Sequence, residues 1–235
     1  MIRLISFGMF FVAALFAADA LQPRVVDPGG PGKAPSDALV LFDGTDLAAW
    51  VHQDGSAATW AVEDGNIVCN TGSGNILTTR KFGSMQLHVE FSTPSQPDAK
   101  AQSKGNSGVY LQGRYEVQVL DSFNNPTYPD GSAGAIYQQS APAVNVSRRP
   151  TEWQSYDIVF HAPACVSRKV TKPGTITILH NGVLIQDHFE LQGPTPGGLG
   201  GDVCEQGPIL LQDHIHEDVK ETALRFRNIW VRPLP

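Results

Sequence analysis

Short apolar stretches separated by Gly, Pro, Asn and Asp recur along the chain, and none sustains the 3.6-residue rhythm of a long amphipathic helix. Met85, Leu87, Val89 and Phe91 alternate with Gln86, His88 and Glu90, the two-residue period of a strand with one buried and one polar face. Asp64-Gly65 follows the apolar run that begins at Trp60, and Asn181-Gly182 separates Thr175–His180 from Val183–Ile185. Both dipeptides accept the positive φ angles of a type I′ turn, so each predicts a tight hairpin. Many half-buried antiparallel strands in one domain hide their apolar faces best against each other, which predicts an all-β, two-sheet sandwich over residues 38–235.

The ends of this pattern have a different character. Residues 1–20 carry Arg3, an apolar run from Leu4 to Phe16 and the small-residue site Ala18-Asp19-Ala20, the layout of a secretory signal peptide. The run is shorter than the roughly 20 residues of a membrane-spanning helix, so the expectation is an exported protein, periplasmic or secreted, with no membrane insertion after cleavage. Residues 21–37 are rich in Pro and Gly with little to pack, and read as a flexible leader. A formal net charge of -6 with scattered Lys and Arg excludes the basic footprint of a nucleic-acid binder. Of the three cysteines, Cys165 and Cys204 lie in loop-like sequence and are expected to form a disulfide, whereas Cys69 sits in an apolar strand and reads as a small buried hydrophobe.

The candidate chemistry lies in the strand Tyr115 to Asp121. Glu116 and Gln118 share one face, and a one-residue bulge after Val119 would return Asp121 to that face. The spacing resembles the Glu-x-Asp-x-x-Glu strand of laminarinase- and lichenase-type glycosidases, with Gln118 and Asp121 in place of two of the acids. Downstream, Gln212 and His214 share a face in Leu211-Gln212-Asp213-His214.

A wider run, Asn106-Ser107-Gly108-Val109-Tyr110-Leu111-Gln112-Gly113-Arg114 leading into Tyr115, resembles the signature of the 3-keto-disaccharide hydrolase family. Leu41 to Leu47 with Trp50, Gly134-Ala135-Ile136-Tyr137, Glu152-Trp153, His180 to Val183, Gly207 to His214 and Phe226 to Ile229 agree with it in order. The resemblance implies a concanavalin A-like jelly roll whose sheet holds a sugar already oxidised to a ketone at C3 by a dehydrogenase. Such a ketone acidifies the C2 proton, so a base removes it, the glycosidic oxygen leaves from C1, and water adds back.

That route needs a base, a stabiliser for the enolate oxygen and an acid for the leaving oxygen. Side-chain chemistry assigns Glu116 as base, Gln118 and Asn106 as donors to the ketone or ring hydroxyls, and His214 or Asp121 as acid. Gln212, Tyr110 and Arg227 complete the expected substrate contacts, with Arg114 and Trp153 as further candidates. A divalent metal on Glu116, Asp121 and His214 is another way to stabilise an enolate, and spacing leaves that question open. Two other readings remain: a retaining glycosidase on unoxidised glycans, which needs paired carboxyls, and a carbohydrate-binding module without turnover.

Overall fold

The computed structural model describes residues 22–30, 33–69, 71–214 and 224–235. The expected signal peptide lies outside the described residues. In chain order the strands are β1 (Leu39–Phe42), β2 (Trp50–His52), β3 (Ala61–Glu63), β4 (Asn66–Val68), β5 (Ile76–Phe82), β6 (Met85–Ser92), β7 (Asn106–Leu111) and β8 (Tyr115–Leu120). They continue as β9 (Gln154–His161), β10 (Ala164–Val166), β11 (Lys169–Lys172), β12 (Thr175–His180), β13 (Val183–Glu190), β14 (Gly207–Leu211) and β15 (Arg225–Pro233).

They form the expected all-β jelly-roll sandwich. An eight-stranded sheet runs β13-β12-β9-β6-β15-β4-β3 with β1 also on β15, and a five-stranded sheet runs β2-β5-β14-β7-β8. Both anticipated hairpins are present, with Asp64, Gly65, Asn181 and Gly182 all at positive φ between the paired strands. In β6 the alternation holds, with Met85, Leu87, Val89 and Phe91 buried and Gln86, His88 and Glu90 partly exposed.

The core fills the space between the sheets. Leu87, Val89, Ile158, Ile178 and Val231 from the larger sheet belong to one cluster with Val109, Val117, Val119, Ile209 and Leu211 from the smaller. Tyr115 and Phe160 bridge the layers with ring centroids 5.6 Å apart. Tyr156 in β9 donates its hydroxyl to the Gln118 carbonyl in β8 at 2.8 Å, so β8 is fixed to the opposite sheet by a buried hydrogen bond as well as by packing.

Strand β8 is the last strand of its sheet, and its free edge is covered. Gln118 N–H donates to the Ala135 carbonyl, Gly134 N–H to the Gln118 carbonyl and Tyr137 N–H to the Glu116 carbonyl, while Glu116 N–H donates to Thr195 Oγ1. Two loop segments therefore satisfy the backbone groups that an edge strand would otherwise present. The register of β7 with β8 is regular from Asn106↔Leu120 to Leu111↔Tyr115, so the bulge anticipated after Val119 is absent and the strand ends at Leu120.

The segment Gly193 to Gly201 runs back across β8. Arg114, buried, donates to the Gly200 and Glu205 carbonyls, and Leu199 N–H donates to the Gly113 carbonyl. A disulfide joins Cys165 in the β10–β11 hairpin to Cys204 at the end of this strap. Closing a 39-residue loop restricts the unfolded chain by about 4 kcal/mol in the chain-entropy account. Replacing both cysteines by Ala is expected to lower the unfolding free energy by about 2–4 kcal/mol in urea titration; an unchanged midpoint would show that the crosslink adds no stability.

Candidate active site

On β8 the side chains of Tyr115, Val117 and Val119 enter the core, so Glu116, Gln118 and Leu120 occupy the outer face of the five-stranded sheet. Polar residues on an outer face are ordinarily solvated, yet Glu116 is only 3% exposed and Gln118 1%. They line a cavity of about 90 Å³ together with Tyr110, Tyr137, Pro196, Gly197, Gln212 and His214. Sheet register explains the first contacts, since Tyr110 lies directly opposite Glu116 and Gly108 opposite Gln118, while Leu210 pairs with Tyr110 and leads to Gln212.

A directed hydrogen-bond chain crosses the floor. Gln212 Nε2 donates to the Tyr110 hydroxyl at 3.1 Å, and that hydroxyl donates to Glu116 Oε2 at 2.8 Å. The Pro196 carbonyl, 3.3 Å from the same hydroxyl, is a second acceptor competing for its single proton. Burial pushes the Glu116 carboxyl up to about 7, against the Tyr110 hydrogen bond, which favours the ionised form. Burial and the neighbouring carboxylate raise the Tyr110 phenol, so it remains a donor.

Gly108 makes room for the carboxylate. A Cβ there would stand 2.5 Å from Glu116 Oε1 and 2.8 Å from Tyr110 Cε2. Gly197, at positive φ, approaches in the same way from above, where a Cβ would stand 2.7 Å from the Tyr110 hydroxyl.

The expected site residues divide. Glu116, Gln118, Tyr110, Gln212 and His214 share the cavity. Asp121 does not line it; its carboxylate is buried against Lys104 Nζ at 3.0 Å and accepts the Phe123 N–H. Asn106 lies on the same sheet face and donates through Nδ2 to the Gln102 carbonyl, outside the cavity lining. Arg227 belongs to β15 in the other sheet, where Nε pairs with Glu90 Oε2 at 2.6 Å and the guanidinium covers Trp153 at 4.0 Å. Asp121 and Arg227 thus lie outside the cavity lining, the first held by Lys104 and the second in the other sheet. Arg114 anchors the strap. Gln118, expected as a donor, places its Nε2 on Gln102 Oε1 and the Gly131 carbonyl.

Glu116, Asp121 and His214 do not converge, and among the described residues no group of three or more His, Cys, Asp or Glu side chains could hold a metal ion. Tyr137 was missed: it belongs to a family-like run, but its chemical role depends on a loop folding over β8. Its hydroxyl lies 2.8 Å from that of Tyr128.

The family model described as a 3-keto-α-glucoside-1,2-lyase-like domain matches residues 37–232. The chain belongs to the 3-keto-disaccharide hydrolase family. It is 45% identical to a candidate glycosyl hydrolase of Parabacteroides distasonis ATCC 8503, with a TM-score of 0.83 over 91% of this chain and 93% of that one. A second candidate glycosyl hydrolase from the same organism shares the fold at 21% identity, with a TM-score of 0.60 over 85% of this chain and 94% of that one. No curated protein matches the chain.

Gly108→Ala is expected to cost about 1–3 kcal/mol of stability by overpacking. The penalty should shrink when Glu116 is also Ala, because the closest contact is with its carboxylate. Denaturant titration of the two single variants and the double variant measures this coupling, and strict additivity would contradict the contact.

Proposed function

We propose that this protein cleaves the glycosidic bond of 3-keto-glycosides by elimination, with Glu116 as the base. The observation that carries the reading is a buried carboxyl pushed up to about 7 that lines the cavity and accepts one hydrogen bond, from Tyr110. A general base works best with a pKa near the operating pH, and membership of a family described as 3-keto-α-glucoside-1,2-lyase-like supports this substrate class.

In this reading the C2 proton passes to Glu116 Oε1 and the C2–H electrons move into the C3 ketone as an enolate. Their return forms the C1–C2 double bond while the C1–oxygen bond breaks. The departing oxygen takes a proton from His214, and water then adds across the enone to complete a net hydrolysis. The Tyr137 hydroxyl is our choice of donor to the enolate oxygen, because Tyr110 is committed to Glu116 and the Gln118 amide donors are occupied. The cavity is small, about 90 Å³, so in this reading it receives the reacting edge of one ring and leaves the aglycone outside. Such a substrate presupposes a dehydrogenase acting at C3.

A retaining mechanism on unoxidised sugar is less favoured. It needs two carboxyls about 5–5.5 Å apart across the bond, and among the described residues lining the cavity Glu116 is the one carboxyl. We place the reaction in an exported setting, a proposal that the signal-like N-terminus and the Cys165–Cys204 disulfide support.

Incubation with a 3-keto-glucoside in D2O should release the aglycone with deuterium carried at C2 of the hydrated product. Release with full retention of the C2 proton would exclude elimination. Glu116→Gln should lower kcat about 10²–10⁴-fold. For wild type, kcat should rise with pH through about 7 as Glu116 ionises. Stability follows the opposite sign. The raised folded pKa contributes stability below 4.5 that is lost as pH rises through about 7, so Glu116→Gln should gain up to ~3 kcal/mol on wild type at pH 8 and nothing near pH 4.

A further inference from the structure

The orientation of two buried amides shows what the cavity asks of a ligand. Gln118 Nε2 donates to the Gly131 carbonyl at 3.2 Å and to Gln102 Oε1 at 3.0 Å. A backbone carbonyl only accepts, so the amide cannot be turned over, and Oε1 is left buried without a hydrogen-bond partner. Gln212 is fixed in the same way: the Tyr110 proton goes to Glu116, so the hydroxyl oxygen accepts from Gln212 Nε2, and Gln212 Oε1 is buried without a partner. Both side chains line the cavity that holds Glu116. Each is therefore an amide carbonyl whose acceptor capacity no described residue meets.

Their positions flank Gly108, next to the base. Gln118 is two residues along β8 from Glu116, about 6.6 Å at strand spacing. Gln212 N–H donates to the Gly108 carbonyl, and Gly108 pairs with Gln118, so the two amides stand at one level of the sheet on either side of Gly108, with Glu116 beside them. A buried acceptor left unpaired is costly, so a ligand that lies across Gly108 and supplies an O–H donor to each amide is selected over one that supplies acceptors.

We infer that Gln118 and Gln212 are specificity-determining residues that accept hydrogen bonds from the two hydroxyls flanking the ketone, at C2 and C4 of the sugar. This rests on the 3-keto-glycoside reading above. The ketone itself has no proton to give, so neither carbonyl faces it, and donors such as Tyr137 are left for that oxygen. The site thus separates donor-bearing ring positions from the one position that must accept.

The test compares kcat/KM of wild-type protein for a methyl 3-keto-glucoside with its 2-deoxy, 4-deoxy and 4-deoxy-4-fluoro analogues. Fluorine approximates the size of a hydroxyl and cannot donate. The expected result is a loss of roughly 10- to 100-fold for each deoxy compound, with the fluoro compound no better than the 4-deoxy one. In Gln118→Met, which keeps length and removes the acceptor, the penalty at one of the two positions should fall to within about threefold. Turnover of the parent with equal rates for the analogues, recovery of rate by fluorine, or penalties unchanged at both positions in Gln118→Met would each overturn this assignment while leaving the elimination reading intact. Absence of turnover for the parent compound itself would overturn that reading and this inference together. The wild-type comparison stands alone if Gln118→Met fails to fold.

Discussion

The structure around β8 depends on keeping the Glu116 carboxylate out of water while granting it one hydrogen bond. Desolvation alone would hold the carboxyl protonated, and full hydration would hold it ionised well below neutrality. The Tyr110 hydroxyl, at 2.8 Å, offsets part of the burial cost, and the result is a group whose proton affinity is near 7. Everything nearby serves that balance. Gly108 leaves the space, Thr195 and Tyr137 close the strand edge on either side, and Gly197 comes close to the tyrosine hydroxyl.

The strap that forms one wall is held from several directions at once. Thr195 donates its N–H to the Arg114 carbonyl just before β8 and accepts the Glu116 N–H on its hydroxyl, Arg114 gathers the Gly200 and Glu205 carbonyls, and the disulfide ties Cys204 to an outlying hairpin. Arg168 adds ion pairs to Asp202 and Glu205, although these are exposed and contribute little on their own. A Gly/Pro-rich segment has little intrinsic order, so its position over the site is imposed by these attachments. In this way stability elements remote from the chemistry determine how well the carboxylate is shielded.

Much of this was legible in the sequence because it follows from local rules. The two-residue period placed Glu116 and Gln118 together, and the Asp-Gly and Asn-Gly turns gave their hairpins. What could not be read depended on contacts between distant parts of the chain. Asp121 shares a spacing with glycosidase acids, but Lys104, seventeen positions earlier, takes its carboxylate. Arg227 follows a family-like run, yet strand order places it on the opposite sheet beside Glu90. The donor or acceptor sense of Gln118 is set by the Gly131 carbonyl in a loop, and no spacing rule encodes an amide's orientation.

The most direct test is the titration of the Glu116 carboxyl itself. Carbon-13 NMR of protein labelled at glutamate side-chain carboxyls, with the resonance assigned by its absence in Glu116→Gln, follows that group alone. A midpoint near 7 is the result this account requires. A midpoint at or below 4.5, the ordinary glutamate value, would show that the carboxylate is solvated and would remove the base on which the proposed chemistry rests.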